Sequence, residues 1–305
     1  MPVRNGEAYI RGALEALLAQ TFTDFVLLIG DNASTDGTEA VCRQFAARDG
    51  RIRYHRHAEN VGAARNFNFL FQATTGPYFK WAAHDDSCEP AFLQRCIDRL
   101  ERDPSPVLCH TYTNEIGERG ELRGRYDDQL SLLADRPSQR LAALFRLEYP
   151  SPVWGVMRRD AIARTRLFGG FLGSDWNFLA EMLLLGPIAL VPEYLFSVRN
   201  HDAGFSFGFQ RTSKAVRLAW FDPRKREPGL ASAATSTFRF AEAILRHPLP
   251  IQERAACFRH LAGRTWRKFA GKLSRRAPGA ATPRPPTPLP LSVHPGNAGI
   301  EEPGR

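Results

Sequence analysis

Phe25-Val26-Leu27-Leu28-Ile29-Gly30-Asp31 is a short apolar run that ends on a glycine and an acid, and the polar turn Asn32-Ala33-Ser34-Thr35-Asp36-Gly37-Thr38 follows it directly. The run is too short for a stable helix and reads as a buried strand, with the turn leading into a helix through about Arg48. Upstream, Asn5 can cap a helix running to about Gln20, in which Ile10, Leu14, Leu17 and Leu18 form an apolar stripe. Downstream the alternation continues. A strand at Ile52 to His55 is followed by a turn at Asn60 to Gly62 and a helix from about Ala63 to Ala73. A strand at Tyr78 to Ala82 and a helix from Glu89-Pro90 to about Leu100 come next. Regular alternation of strand and helix predicts an α/β fold, a mostly parallel sheet flanked by helices on both faces.

Sheets of this kind place their sites beyond the carboxyl ends of the strands. Asp31 falls there, and so does Ala83-His84-Asp85-Asp86. Mg²⁺ and Mn²⁺ are held by one or two carboxylates and completed by phosphate and water oxygens, so the acid pair suits a cation that arrives with a nucleoside diphosphate. A solvated turn, or a cap for the following helix, is the plain alternative for the same two acids.

The second half is less regular. A strand is expected at Val107 to Thr111, then a charged, turn-rich excursion to about Asp128. Ser151 to Met157 is expected as a strand lining the cleft, Leu179 to Leu185 as helix ending at Gly186-Pro187, and Ile188 to Val191 as a short strand. Basic or mixed helices follow at Arg211 to Phe221, Ser236 to Arg246 and Ile251 to Ser274. From Ala277 prolines and small residues dominate, as in Pro283-Arg284-Pro285-Pro286, a composition that does not build a packed core. The expected organisation is a catalytic domain over 1–205, a basic helical extension over 206–276 and a disordered Pro-rich tail over 277–305.

With 43% hydrophobic and 24% charged residues, the 305-residue chain has the composition of a folded protein with a sizeable core. Its longest apolar stretch, Phe178 to Val191, is interrupted by Glu181 and Pro187 and is too short to span a bilayer. Arg4, Asn5 and Glu7 precede any apolar segment, so no signal peptide is read and a cytoplasmic location is expected. The five cysteines have neither ligand-like nor disulfide-like spacing, which fits reduced thiols. Of the formal charge of +9, Arg254 to Arg276 carry eight Arg or Lys and no acid. Such a segment suits an anionic membrane surface, giving a peripheral position at the inner membrane, or else a solvent-facing or dimer-facing helix. Nucleic acid is not expected, because no aromatic stacking platform or recognition-helix signature accompanies the charge.

Taken together, Pro2-Val3-Arg4-Asn5-Gly6, Gln20-Thr21-Phe22, Asp31 to Thr38, Asn60-x-Gly62 with Arg65-Asn66, and Asp85-Asp86 form an ordered set. The set resembles glycosyltransferase family 2, the inverting, nucleotide-sugar-dependent enzymes of the GT-A (Rossmann-like) fold, over about residues 1 to 205. The resemblance implies that base and ribose sit near Pro2, Arg4, Asp31, Asn32 and Arg65, and that Asp85 lies near the ribose or metal-bound waters. It implies Asp86 as the direct ligand of Mn²⁺ or Mg²⁺, and Asp175, in Gly173-Ser174-Asp175-Trp176, as the general base. His201 in Arg199-Asn200-His201 resembles a late element that approaches metal or diphosphate, and Trp154 and Trp176 can wall an acceptor pocket. The implied reaction is inverting transfer of a sugar to a saccharide or lipid-linked saccharide. A non-catalytic nucleotide- or glycan-binding descendant is the alternative. A sugar nucleotidyltransferase would need a basic, glycine-rich triphosphate loop that Pro2 to Glu7 lacks.

Each residue also has a plain reading: Arg65 as a helix-pairing cation, Asn60 and Gly62 as turn formers, Ser174 or Asp175 as a helix cap, His201 as packing. Three departures from the family pattern stand out. Ala83 replaces a frequent acid, Asn32 replaces a second aspartate, and Ser174 replaces the acid that usually precedes Asp175. In addition, Met1 directly precedes Pro2 where the family has a central strand, so a native chain beginning several residues upstream is expected.

Overall fold

The computed structural model describes residues 1–126, 132–147, 149–202, 204, 212–224 and 232–274. The expected tail over 277–305 therefore lies outside the described residues. The first layer is a parallel sheet, β1 (Pro2–Val3), β2 (Leu27–Asp31) and β3 (Ile52–Arg56), in the order β1-β2-β3. Around it are α1 (Ile10–Leu18), α2 (Thr38–Arg48) and α3 (Ala63–Gln72). Met1, Ile10, Leu14, Ile29, Cys42 and Ile52 close the core beneath these elements. Pairing of β1 reaches the first residue: Gly30 N donates to Met1 O at 2.9 Å, and the Met1 nitrogen donates to Leu28 O at 2.6 Å.

The second sheet is mixed. It contains β4 (Tyr78–Phe79), β5 (Ser87–Cys88), β6 (Leu108–Ile116), β7 (Leu122–Tyr126), β8 (Val156–Arg158) and β9 (Ile188–Arg199). Its central pair, β6 and β9, is parallel, and β4, β5, β7 and β8 add antiparallel. The helices α4 (Phe92–Arg102), α5 (Pro137–Leu144), α6 (Arg159–Ala163) and α7 (Ser174–Leu185) complete this half. Trp81 is fully buried at its centre, with Phe79, Phe168 and Phe178 packed edge-on at ring distances of 4.8 to 5.2 Å.

Beyond β9 come α8 (Lys214–Phe221), α9 (Ser232–Arg246) and α10 (Ile251–Ser274). Phe240, Ala243 and Ile244 of α9 and Cys257 and Leu261 of α10 join Trp81, Phe178 and Leu183 in one apolar cluster. Burial of Phe240, Ile244 and Leu261, each worth about 1.5–3 kcal/mol, makes the extension part of the same core.

Several expected boundaries move. Asn5 does not cap α1: its backbone is left-handed (φ 53°), and its Oδ1 accepts from Thr35 N at 2.9 Å. The strand expected at Tyr78 to Ala82 ends at Phe79, and the one expected at Ser151 to Met157 is a 3₁₀ turn, Ser151–Trp154, followed by β8. The charged excursion contains β7, hairpin-paired to β6. β9 continues eight residues past Val191.

Candidate active site

The site is built at the carboxyl ends of β1 and β2, where two turns are laced together. Asn5 N donates to Ser34 Oγ (2.9 Å), Gly6 N to Thr38 Oγ1 (2.8 Å), and Gly37 N to Glu7 Oε2 (2.9 Å). Asp31 is fully buried below the turn. One oxygen accepts from Ser34 N (2.8 Å), the other from Tyr54 Oη (2.6 Å), with Arg56 Nε 4.0 Å away. Asn32 clamps the next loop: its Oδ1 accepts from Val61 N and its Nδ2 donates to Asn60 Oδ1, each at 2.8 Å. One donor and one acceptor are needed there, which an aspartate cannot supply. Asn66 is a structural clamp, donating to Gly30 O at 2.7 Å, and Gly62 needs its left-handed backbone (φ 86°) and small size, since a Cβ would come within 2.6 Å of Phe221 O. Pro2 is buried in β1, while Arg4 and Arg65 stand exposed at the rim of this same region.

Asp85 meets His201 across 116 positions of sequence. His201 Nε2 lies 3.0 Å from Asp85 Oδ2, and His84 Nδ1 lies 3.9 Å from its other oxygen. His201 is held from behind by the ring of Tyr9, centroids 4.3 Å apart. Burial acts to raise the Asp85 pKa, but the charge of His84 and the hydrogen bond from His201 outweigh it and hold the carboxyl below its ordinary range. Asp86 is placed differently. It is 7% exposed, and its Oδ1 accepts from Arg199 N at 2.9 Å. Burial first, and the charge of Asp85 second, push its carboxyl well above the ordinary value. With Oδ1 engaged with β9, the expectation of Asp86 as the direct cation ligand falls on its other oxygen. Arg199 fixes the acid loop a second time, through Nε to Asp85 O at 2.9 Å. Neither Arg199 nor Tyr9 is expected at the site from the sequence: Arg199 lies in the Arg199-Asn200-His201 element, where His201 carries the signal, and Tyr9 has no local signal.

Among the described residues no group of three or more His, Cys, Asp or Glu forms a ready-made metal cage. Asp85 and His201 offer one carboxylate and one imidazole, with Asp86 next to Asp85 in the same loop. That pair fits a cation whose other positions are filled by diphosphate and water oxygens, and the imidazole favours Mn²⁺ over the strictly oxygen-seeking Mg²⁺.

Asp175 stands in the first turn of α7, after Gly173 in the left-handed cap position (φ 83°). Neither Ser174 nor Asp175 caps the helix, and Ser174 is fully buried with its hydroxyl unpartnered. Burial lifts the Asp175 carboxyl from 3.8 to about 6, against backbone N–H groups of Trp176 and Asp175 itself that favour the charged form. α7 packs against the 3₁₀ turn that carries Trp154. Lys80 Nζ donates to Trp154 O at 2.5 Å and lines a small cavity of about 10 Å³ with Ala83 and Asp86. The acid loop and the α7 side are thus joined through Lys80. Trp154 and Trp176 both pack on the main apolar cluster.

An α/β chain with this parallel sheet, its flanking helices and a site on the carboxyl edge has the GT-A glycosyltransferase fold. Solved structures bear this out: S. aureus TarS 1-349 in complex with UDP-GlcNAc matches with a TM-score of 0.64 at 16% identity, covering 88% of this chain and 71% of that one. The mannosyltransferase PcManGT from Pyrobaculum calidifontis, in complex with GDP-Man and Mn²⁺, matches with a TM-score of 0.50 at 15% identity, covering 91% and 79%. The family model described as Glycosyl transferase family 2 matches residues 1–165, and the chain belongs to that family. Among curated relatives, the putative glycosyltransferase EpsH of Bacillus subtilis (strain 168) is 25% identical over 69% of this chain. An uncharacterized glycosyltransferase of Rickettsia typhi is 30% identical over 67% of this chain and 63% of its own length. The chain spans 57% of the length of the uncharacterized mycobacterial relatives and of EpsH. Among the described residues no helix is long and apolar enough to cross a membrane.

Proposed function

We propose that this protein transfers a sugar from a nucleoside-diphosphate donor to a saccharide or lipid-linked saccharide acceptor, with inversion at the anomeric carbon. The observation that carries the reading is the Asp85–His201 pair at the edge of the nucleotide-binding turns, 3.0 Å apart and brought together from distant sequence. Asp85 and His201 would hold the cation, with the second oxygen of Asp86 beside them. Such an ion, when bound, neutralises charge on the departing diphosphate. Pro2, Arg4, Asn32 and Arg65 border the place of base and ribose, with Asp31 bracing the turn from beneath.

Asp175 acts as the general base. Its carboxylate takes the proton of the acceptor hydroxyl while that oxygen bonds to the anomeric carbon, and the bond from that carbon to the diphosphate oxygen breaks on the opposite face. With a pKa of about 6, the carboxylate is about ten-to-one ionised at neutral pH yet basic enough to accept a proton in the transition state. Arg199 and Tyr9 keep the acid loop and His201 in place, and Trp154 and Trp176 offer aromatic faces to a sugar ring.

The test is a panel of UDP-, dTDP- and GDP-sugars with Mn²⁺ or Mg²⁺, read by donor hydrolysis and by thermal stabilisation. The expected result is one preferred donor whose stabilisation requires the cation. Equal melting with every donor, with and without cation, contradicts the proposal.

A further inference from the structure

We propose that the outer face of α9 and α10 docks on the surface of an anionic lipid bilayer. The two helices enclose an open apolar groove of about 500 Å³, bordered by Ala241 of α9 and by Phe258, Ala262 and Trp266 of α10. Around it, large apolar side chains are well exposed: Phe238 is 61% exposed, Leu245 60%, Ile251 81% and Trp266 68%. Phe238 and Leu245 are seven residues apart and share one stripe of α9. On α10, Ala255, Arg259, Ala262 and Trp266 recur at helical spacing and are all exposed. Isolated surface apolar residues are ordinary, but a contiguous patch marks an interaction surface.

Charge decides the partner. The only acids on the two helices are Glu242 and Glu253. Glu242 is held by Arg166 (2.7 Å) and Arg239 (2.8 Å), and Glu253 by Arg136 (2.7 Å). No acid on either helix is left to offset the exposed Arg259 and Arg267, and the sequence adds Lys268, Lys272, Arg275 and Arg276. Apolar side chains, a tryptophan and unopposed cations on one face match the headgroup boundary of an anionic leaflet, where each Lys or Arg strengthens attachment about fivefold.

The face is also rigidly set relative to the site. Arg166 joins α7 to α9 through Glu181 Oε1 (2.5 Å), Glu242 Oε2 (2.7 Å) and Arg239 O (2.9 Å). A lipid-linked acceptor would then be presented to Asp175 from a fixed side, a consequence that rests on the proposed transfer activity; the docking itself does not.

The experiment is cosedimentation of the full chain with vesicles of phosphatidylcholine alone and with phosphatidylglycerol added. The expected result is partitioning to the anionic vesicles that weakens as salt is raised. Arg259→Ala with Arg267→Ala should lower partitioning about 25-fold. Phe238→Ser with Trp266→Ser should abolish it, both pairs keeping the parent's circular-dichroism spectrum and a cooperative melting transition because all four side chains are largely exposed. A chain that stays in the supernatant with both vesicles, or partitioning unchanged in either double variant, overturns the proposal. So does a dimer in light scattering that Trp266→Ser dissolves, since the groove would then be an interface between two copies.

Discussion

Replacing Asp175 by Asn should stabilise the protein while removing the base proposed for it. Burial raises this carboxyl from 3.8 in the unfolded chain to about 6 in the fold. A folded pKa above the unfolded one means that ionisation opposes folding. The stability available to the protonated form is fully present below pH 3.8 and is lost as pH rises to and through about 6. The gap between the two values corresponds to roughly 3 kcal/mol. Asp175 is partly open to solvent, and its charge lies in the first turn of α7, where the helix dipole favours it by about 0.3–1 kcal/mol. The net gain for Asp175→Asn at neutral pH is therefore about 2 kcal/mol, or about 4 °C in melting temperature for a chain of this size. Urea and thermal unfolding of the parent and variant between pH 4 and pH 8 measure it. The curves should converge at the acid end, separate between about pH 4 and pH 6, and run parallel above it. A variant less stable than the parent, or a difference independent of pH, refutes the reasoning about this site's desolvation.

Glu181→Gln should cost about 3 kcal/mol by urea unfolding, because Glu181 is 2% exposed and accepts from both Arg166 N and Nε. Gly62→Ala should cost about 1–3 kcal/mol, from the left-handed backbone and the contact with Phe221 O, and should raise the donor KM because Asn32 and Asn60 shape the same loop. Activity against pH should show an acid limb near 6, set by Asp175, in kcat/KM, which reports the unliganded enzyme.

The first hundred residues were legible because each element repeats one simple pattern, a short apolar run or an apolar stripe bounded by a polar turn. The second half was harder for identifiable reasons. In β9, Pro192 looks like a strand end, but the ladder to β6 jumps from Thr111↔Val191 to Tyr112↔Tyr194, so Pro192 and Glu193 sit in an irregularity that the strand passes through. β7 is charged and mostly exposed, and its hairpin pairing with β6 leaves no apolar alternation to read. At the site, the residue types were visible in sequence but their assignment was not. Asp85 and Asp86 are neighbours in the chain, and only the return of β9 decides that Asp86 binds Arg199 N while Asp85 meets His201. Asn5 looked like a cap because its type suits one; the side chain instead ties two turns together.

The central claim is that donor binding depends on Asp85 with His201, and sugar transfer on Asp175. Calorimetric titration of the preferred nucleotide sugar in Mn²⁺, with transfer measured on the same samples, tests it most directly. Asp85→Asn should lose cation-dependent donor binding, whereas Asp175→Asn should bind donor as the parent does and transfer no sugar. Donor affinity unchanged in Asp85→Asn, or transfer at the parent rate by Asp175→Asn, contradicts the account.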